Sequence, residues 1–220
     1  MARAIVIAAL LAAWATQGSA ADHGVKLGDR PGVKPGETPW WSQEVTECDR
    51  QASHGDDPWH VAPDRARKDM DFEKAIAACQ EAVKQDPDNP RLNYLMGRLY
   101  GYSGQWQKAM PYRLKAVEGR YPQSLFVIGW LYLSGETIDE KNPCKTVVMW
   151  REAAKLERLA ALVGLPHYYK KGAFDGCGVE IPTHEMIGYL DAAARLTKGD
   201  FYNGLLIAEL RADLLNTAGQ

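Results

Sequence analysis

After its first 15 residues the sequence lacks any apolar run long enough to cross a bilayer, which takes about 20 residues in a helix. The run from Ala4 to Ala15 is itself too short for that role. It follows a single basic residue, Arg3, and precedes the small and polar residues 16–21, which is the pattern of a signal peptide. An uncleaved anchor is the alternative, but the basic flanks that would hold one in place are missing. We therefore expect residues 1–20 to be removed and the mature chain to be periplasmic or secreted, with no membrane insertion.

The sequence also lacks an excess of charge of either sign. Its 26 lysines and arginines face 28 aspartates and glutamates, which gives a formal net charge of -2. A protein that binds the nucleic-acid backbone needs a clustered basic surface. We therefore expect no nucleic-acid partner, and no motif in the sequence predicts a cofactor.

Sustained alternation of apolar and polar residues, the pattern of a half-buried strand, is absent as well. Helical signals take its place from residue 71 onward. Asp71 is a suitable N-cap for a helix over residues 72–83, and glycine stands where each of three further helices should end. Those helices are predicted over residues 91–102, 105–117 and 123–133, followed by Gly104, Gly119 and Gly135. The sequence therefore predicts an all-α fold.

Residues 21–46 show no helical period. Three prolines, Pro31, Pro35 and Pro39, alternate there with glycines. Such a composition is typical of a flexible or extended segment. We therefore divide the chain into a signal peptide (1–20), a flexible leader rich in glycine and proline (21–46) and a helical repeat domain (47–220).

The sequence has only four cysteines, and none stands in the Cys-x-x-Cys arrangement of many zinc sites. A zinc site is therefore the less favoured alternative. In an exported chain four thiols are expected to form two disulfides. Three pairings are possible, and neighbours along a repeat array lie closest in space. We therefore predict the pairs Cys48–Cys79 and Cys144–Cys177.

An internal repeat is the strongest signal in the sequence. The pattern Tyr-x-x-Gly-x-x-Tyr at residues 94–100 recurs 32 residues later as Phe-x-x-Gly-x-x-Tyr, and weaker copies begin at Ala161 and Phe201. Each such helix is followed by one with small residues seven apart, as at Ala109 and Ala116. Glycine on the first helix and alanine on the second let two antiparallel helices approach closely. One pair cannot bury its apolar face alone, so the pairs are predicted to stack.

These residues resemble the tetratricopeptide repeats, since Gly97, Tyr100, Ala109 and Ala116 match the small and large packing positions of that family. The helix over residues 147–155, with its aromatic, basic and paired alanine residues, is similar to the Sel-type variant. The resemblance covers about residues 71–215. It implies a right-handed α-solenoid of antiparallel helix pairs.

Two prolines depart from the family pattern. Pro111 and Pro166 fall inside expected helices, and each should kink or shorten its helix. The long loop over residues 172–182 also stretches the third unit, so the carboxy-terminal repeats are degenerate.

The family resemblance also implies a binding groove. In tetratricopeptide arrays, one face of the first helix of each pair lines a groove that grips peptide segments. That face carries aromatic and arginine side chains here, which suit an acidic or carboxylate-bearing peptide. The alternative is that Phe126 and Trp130 simply belong to the core. The predicted groove residues are Arg91, Tyr94, Arg98, Phe126, Trp130 and Arg158.

Motifs for nucleophilic catalysis are missing around the serines. Cys177 lies in a glycine-bounded loop and could be a reactive thiol, but a disulfide is the favoured interpretation. We predict a scaffold or adaptor of the cell envelope that binds a protein or peptide, not an enzyme. The alternative is an enzyme, or an accessory subunit of one, that acts in cell-wall or polysaccharide metabolism through residues 41–64. The ligand-like residues of that segment are His54, Asp56, Asp57 and His60, and their spacing matches no metal motif.

Overall fold

The computed structural model of the chain describes residues 24–136 and 140–218, so the predicted signal peptide lies outside the described residues. Within these ranges all of the regular secondary structure is helical and no strand forms, as predicted. A 3-10 turn at Arg67–Asp69 precedes the second helix. The α-helices are α1 (Glu47–Ala52), α2 (Phe72–Gln85), α3 (Pro90–Tyr102), α4 (Trp106–Glu118), α5 (Pro122–Ser134), α6 (Pro143–Lys155), α7 (Leu159–Lys170), α8 (Thr183–Leu196) and α9 (Phe201–Ala218).

The helix ends follow the capping residues predicted from the sequence, with one difference. The side chain of Asp71 accepts a hydrogen bond from the backbone nitrogen of Lys74 at 3.2 Å and so caps α2. Gly135 ends α5 in the left-handed conformation, with φ of 76°. Gly119 after α4 has φ of -73°, and the next residue, Arg120, adopts the left-handed conformation instead, with φ of 52°.

Consecutive helices pack as antiparallel pairs, most extensively α3 with α4 and α5 with α6. The glycine notches explain why these pairs are close. A methyl group added at Gly97 would lie 2.6 Å from Cγ of Arg113 and 3.4 Å from the carbonyl oxygen of Ala109. A methyl group added at Gly129 would lie 2.5 Å from the ring of Trp150. The predicted contact between glycine on one helix and alanine on the next is therefore confirmed for Gly97 and Ala109, whereas Gly129 receives the ring of Trp150. The chain is an α-solenoid.

The two prolines do not end their helices. Helix α4 continues for seven residues beyond Pro111, and α7 continues to Lys170 beyond Pro166. A proline removes one backbone hydrogen bond but leaves the rest of the helix available to pack.

The core falls into two parts that meet at the turn between α4 and α5. The amino-terminal part gathers most apolar side chains of α1 to α4, and the carboxy-terminal part gathers those of α5 to α9 together with Val117 of α4. One disulfide lies in each part, Cys48–Cys79 and Cys144–Cys177, which are the predicted pairs. In the described ranges no helix is long and apolar enough to cross a membrane.

The predicted leader contains no helix between residues 24 and 46, but it is packed against the repeats. Val25, Val33 and Trp41 are buried. The backbone nitrogen of Gly28 donates to the carbonyl oxygen of Glu118 at 2.8 Å. This part of the leader therefore packs along the turns that connect the helices.

Candidate binding surface

Helix α3, which carries three of the six predicted groove residues, is buried from Pro90 to Gly101. A helix of a stacked pair normally leaves one polar face in water. Here that face is covered by residues 41–66, which we call the covering segment. It comprises the end of the leader, α1 and the loop that leads to α2.

Arg91 holds the first part of the covering segment. Its guanidinium pairs with the carboxylate of Asp49 on α1, and both side chains are only 1 % exposed. It also donates to the carbonyl oxygens of Ser42 at 3.2 Å and Glu44 at 3.0 Å. Asp49 is itself positioned by a capping box, because its carboxylate accepts from the backbone nitrogen of Thr46 at 2.8 Å.

Arg98, seven residues further along α3, holds the next part of the segment. Its guanidinium donates to the carbonyl oxygens of Ala52 and Ser53, both at 2.7 Å, and to that of Arg65 at 3.3 Å. The two arginines thus donate to five backbone carbonyl oxygens of the covering segment, of which those of Ser42 and Ser53 also accept from another group.

Tyr94 lies between the two arginines and contacts His54 of the covering segment. The tyrosine hydroxyl is 3.2 Å from Nδ1 of His54, and the amide nitrogen of Gln123 on α5 is 3.3 Å from the same atom. Nε of Arg158 donates to the side-chain oxygen of Gln123. Burial, followed by the charge of Arg98, lowers the pKa of His54 and so favours the neutral imidazole.

Asp57 ties the covering segment to the start of α5. The hydroxyl of Tyr121 donates to one carboxylate oxygen at 2.7 Å, and the backbone nitrogen of Trp59 donates to the other at 3.0 Å. Burial raises the pKa of Asp57 to about 6 because the charged form loses its hydration, although these hydrogen bonds oppose the rise.

The structure thus differs from the open groove expected from the sequence. Four predicted groove residues, Arg91, Tyr94, Arg98 and Arg158, are at most 7 % exposed. Three of them bind the chain's own covering segment directly, so they offer no free surface to a partner.

Two of the ligand-like residues in the 41–64 segment, Asp56 and His60, make only contacts within that segment. Nδ1 of His60 lies 2.6 Å from the carbonyl oxygen of Asp57, and Nε2 of His54 lies 4.0 Å from the nearer carboxylate oxygen of Asp56. No group of three or more potential metal ligands comes together in the part of the chain that the structure describes. Of these four residues, His54 contacts α3 and α5, and Asp57 contacts Tyr121 at the start of α5.

Phe126 and Trp130 on α5 are the two predicted groove residues that remain partly exposed. The ring of Phe126 stacks on Trp150 at 5.3 Å between centroids, and Trp130 lies edge-on to Tyr168 of α7 at 6.1 Å. The guanidinium of Arg158 lies 5.3 Å from the centre of the Phe126 ring. Both rings pack against the carboxy-terminal core and also leave part of their surface open.

Further along the solenoid an open cleft lies between α7 and α9, and it was not predicted from the sequence. Its volume is about 460 Å³. The floor is apolar, and the rim carries charges of both signs, including the ion pair of Lys170 with Asp213. Leu206 is 61 % exposed at the wall formed by α9. The lining residues are Val163, His167, Lys170, Lys171, Leu206, Glu209, Leu210 and Asp213.

Comparison with known proteins supports the fold. The tetratricopeptide repeat family matches residues 66–112, which span α2, α3 and the first half of α4. No curated protein matches the chain at a significant level. A solved structure described as a protective antigen present in uropathogenic Escherichia coli strains, displaying an SLR fold, is similar with a TM-score of 0.51 and 22% sequence identity.

That similarity covers 66% of this chain and 29% of the antigen, so the chain spans less than a third of the length of its structural neighbour. At this identity the similarity concerns the fold. The helix pairs, the glycine notches between them and the matched repeat agree with one another. The chain therefore has a helical-repeat fold, and its residues 66–112 match the tetratricopeptide repeat family.

Proposed function

We propose that the chain is an exported scaffold that binds a protein or peptide partner in the cleft between α7 and α9. Repeats of this type generally mediate contacts between proteins. The observation that carries the proposal is the apolar wall of this cleft, where Leu206 is 61 % exposed although α3 at the other end of the solenoid is covered completely.

The cleft suits a partner segment with one apolar anchor and a nearby carboxylate. Val163, Leu206 and Leu210 offer an apolar surface for the anchor. Lys171 is exposed beside them and can receive a carboxylate at the rim. An amphipathic helix or an extended segment laid between two helices uses this combination of contacts.

Export to the periplasm or beyond the cell envelope is the second part of the proposal. The arrangement of Arg3, the apolar run and the small residues before position 21 supports it. The two disulfides support it as well, because such bonds persist in oxidising compartments.

Site-specific photo-crosslinking in cells that export the chain tests the proposed cleft. A photoreactive phenylalanine analogue at position 206 should capture a partner, and the same analogue at Lys84, which is exposed on α2, should not. Capture at position 206 should be lost in the Val163→Glu variant, because a carboxylate would then occupy the apolar floor. Equal capture at both positions, or none at position 206, would argue against the cleft as the binding site.

A further inference from the structure

The outer face of α9 carries an apolar stripe that no other described part of the chain covers. Its members recur at intervals of four, three, four and three residues, which is the spacing of a seam between two paired helices. Three of them are large and strongly exposed: Phe201 at 73 %, Leu205 at 55 % and Leu215 at 45 %. Ala208 and Ala212 lie between them and are exposed as well.

This stripe is distinct from the cleft of the proposed function. On a helix with 3.6 residues per turn, the stripe is centred well over 90° away from the buried side chains Ile207 and Leu214. Leu206 and Leu210, which line the cleft, lie on another side of α9. Helix α9 therefore presents two separate apolar surfaces.

An exposed apolar face of this kind normally lies against a partner surface. The five residues of this face expose about 400 Å², which is within the range of the largest apolar patch on a typical monomer. Two copies of the face would together bury up to about 800 Å², the size of a weak and reversible interface.

We propose that α9 pairs with α9 of a second copy of the chain, side by side and in parallel, through this stripe. A seam with heptad spacing matches itself, because each large residue meets its equivalent and the two alanines let the helices approach closely at the middle. Charge favours the parallel arrangement. Glu209 flanks one edge of the stripe, and Arg211, which also forms an exposed ion pair with Asp191 of α8, flanks the other. A parallel pair therefore brings unlike charges to each edge, whereas an antiparallel pair sets Glu209 against Glu209.

Sedimentation equilibrium of the chain without its signal peptide tests the pairing. The apparent mass should rise from one chain toward two as the concentration increases through the micromolar range, which corresponds to a small interface. The Leu205→Glu variant should stay at the mass of one chain at every concentration. Leu114→Glu is the matched control, since Leu114 is an exposed leucine on α4, and it should associate like the unmodified chain.

Circular dichroism checks that Leu205→Glu is folded, because an exposed position should leave the helical signal unchanged. A single chain at all concentrations of the unmodified protein would overturn the proposal. Association that survives Leu205→Glu would overturn it as well.

Chemical crosslinking tests the parallel arrangement. With a short bis-maleimide, which reacts with free thiols and spares the two disulfides, Leu215→Cys should give a crosslinked dimer because each residue faces its equivalent. Asn203→Cys, exposed on another side of α9, should give none. A crosslink through Ala208→Cys but not through Leu215→Cys would contradict the parallel seam and indicate the antiparallel one.

Discussion

The two ends of the solenoid use similar helices in opposite ways. Helix α3 is buried along its length by the covering segment, and its arginines bind that segment's carboxylate and carbonyl groups. Helix α9 has a buried side of Ile207 and Leu214 but leaves most of its other large apolar residues in water. The position of a helix in the repeat array therefore does not decide whether it can bind a partner. That depends on whether another segment of the chain covers the helix, as residues 41–66 cover α3.

The comparison also separates two kinds of charge pairing. At the amino-terminal end, Arg91 and Asp49 are both buried. At the carboxy-terminal end, Lys170 and Asp213 form a pair whose side chains are 39% and 43% exposed. Water screens the second pair and is excluded from the first. We therefore expect the covering segment to be held by interactions that are costly to break and the cleft to be bordered by interactions that are easily rearranged.

The largest effect is expected from Arg91→Ala. This change leaves the buried Asp49 carboxylate without its positively charged partner and removes one donor from the carbonyl oxygens of Ser42 and Glu44, so the free energy of unfolding should fall by about 3–5 kcal/mol. Denaturant unfolding measures it. Arg50→Ala is the control, since its side chain is 56% exposed and its loss should change the free energy by less than about 0.5 kcal/mol. Equal effects of the two variants would mean that Arg91 does not hold the segment.

The next largest difference in unfolding free energy is expected between two tryptophan variants, one in each half of the chain. Trp59 is 8% exposed and donates from its indole nitrogen to the carbonyl oxygen of Val33 at 3.3 Å, so Trp59→Ala should cost about 3–4 kcal/mol of unfolding free energy. Trp130 is only half-buried, and Trp130→Ala should cost about 1–2 kcal/mol. Thermal unfolding of the two variants side by side gives the order. The reverse order would contradict the packing described for the covering segment.

Asp57 should make the attachment of the covering segment dependent on pH. Its pKa is about 6 in the folded chain and about 3.9 in an unfolded one. Between these values the folded chain binds more protons than the unfolded chain, so the free energy of unfolding falls as pH rises. The loss, about 2–3 kcal/mol, is complete above pH 6.

Asp57→Asn removes this contribution and leaves the other titrating groups in place, including His54, whose lowered pKa acts in the opposite direction. Subtracting the free energy of unfolding of Asp57→Asn from that of the unmodified chain should therefore give a difference that falls between about pH 4 and pH 6. A difference that stays constant over this range would show that the buried carboxyl does not titrate as expected.

The smallest effect is expected from Lys170→Ala at the rim of the cleft. The exposed ion pair with Asp213 should contribute about 0–1 kcal/mol, and 0.5 M salt should reduce that contribution further. Denaturant unfolding at low and high salt measures both values. A fall in the free energy of unfolding as large as that of Arg91→Ala would contradict the difference between the buried ion pair of one end and the exposed ion pair of the other.

Local and repeating features of the fold could be predicted from the sequence. The cap at Asp71, the glycine after α5 and the contact of Gly97 with Ala109 depend on neighbouring residues or on a pattern that recurs. The cysteine pairs followed from the short distances between neighbouring repeats. These features need only helix geometry and close packing.

The covering segment could not be predicted in the same way. Asp49 and Asp57 look like surface acids of a turn-rich region, and their burial depends on arginine and tyrosine residues that are at least 42 positions away. One local signal was available, since Thr46 and Asp49 have the spacing of a capping box and mark the start of α1. The cleft forms where α7 and α9 pack together in the degenerate carboxy-terminal repeats. No local sequence pattern predicts that packing.

Hydroxyl-radical footprinting of the folded chain, read residue by residue by mass spectrometry, tests most directly whether one end is covered and the other open. Tyr94 and Tyr121 should be labelled far more slowly than in the unfolded chain, because they lie beneath the covering segment. Tyr202, 77% exposed on α9, should be labelled at close to the unfolded rate below the concentration at which chains associate. Labelling of Tyr94 at a rate similar to that of Tyr202 would contradict the account.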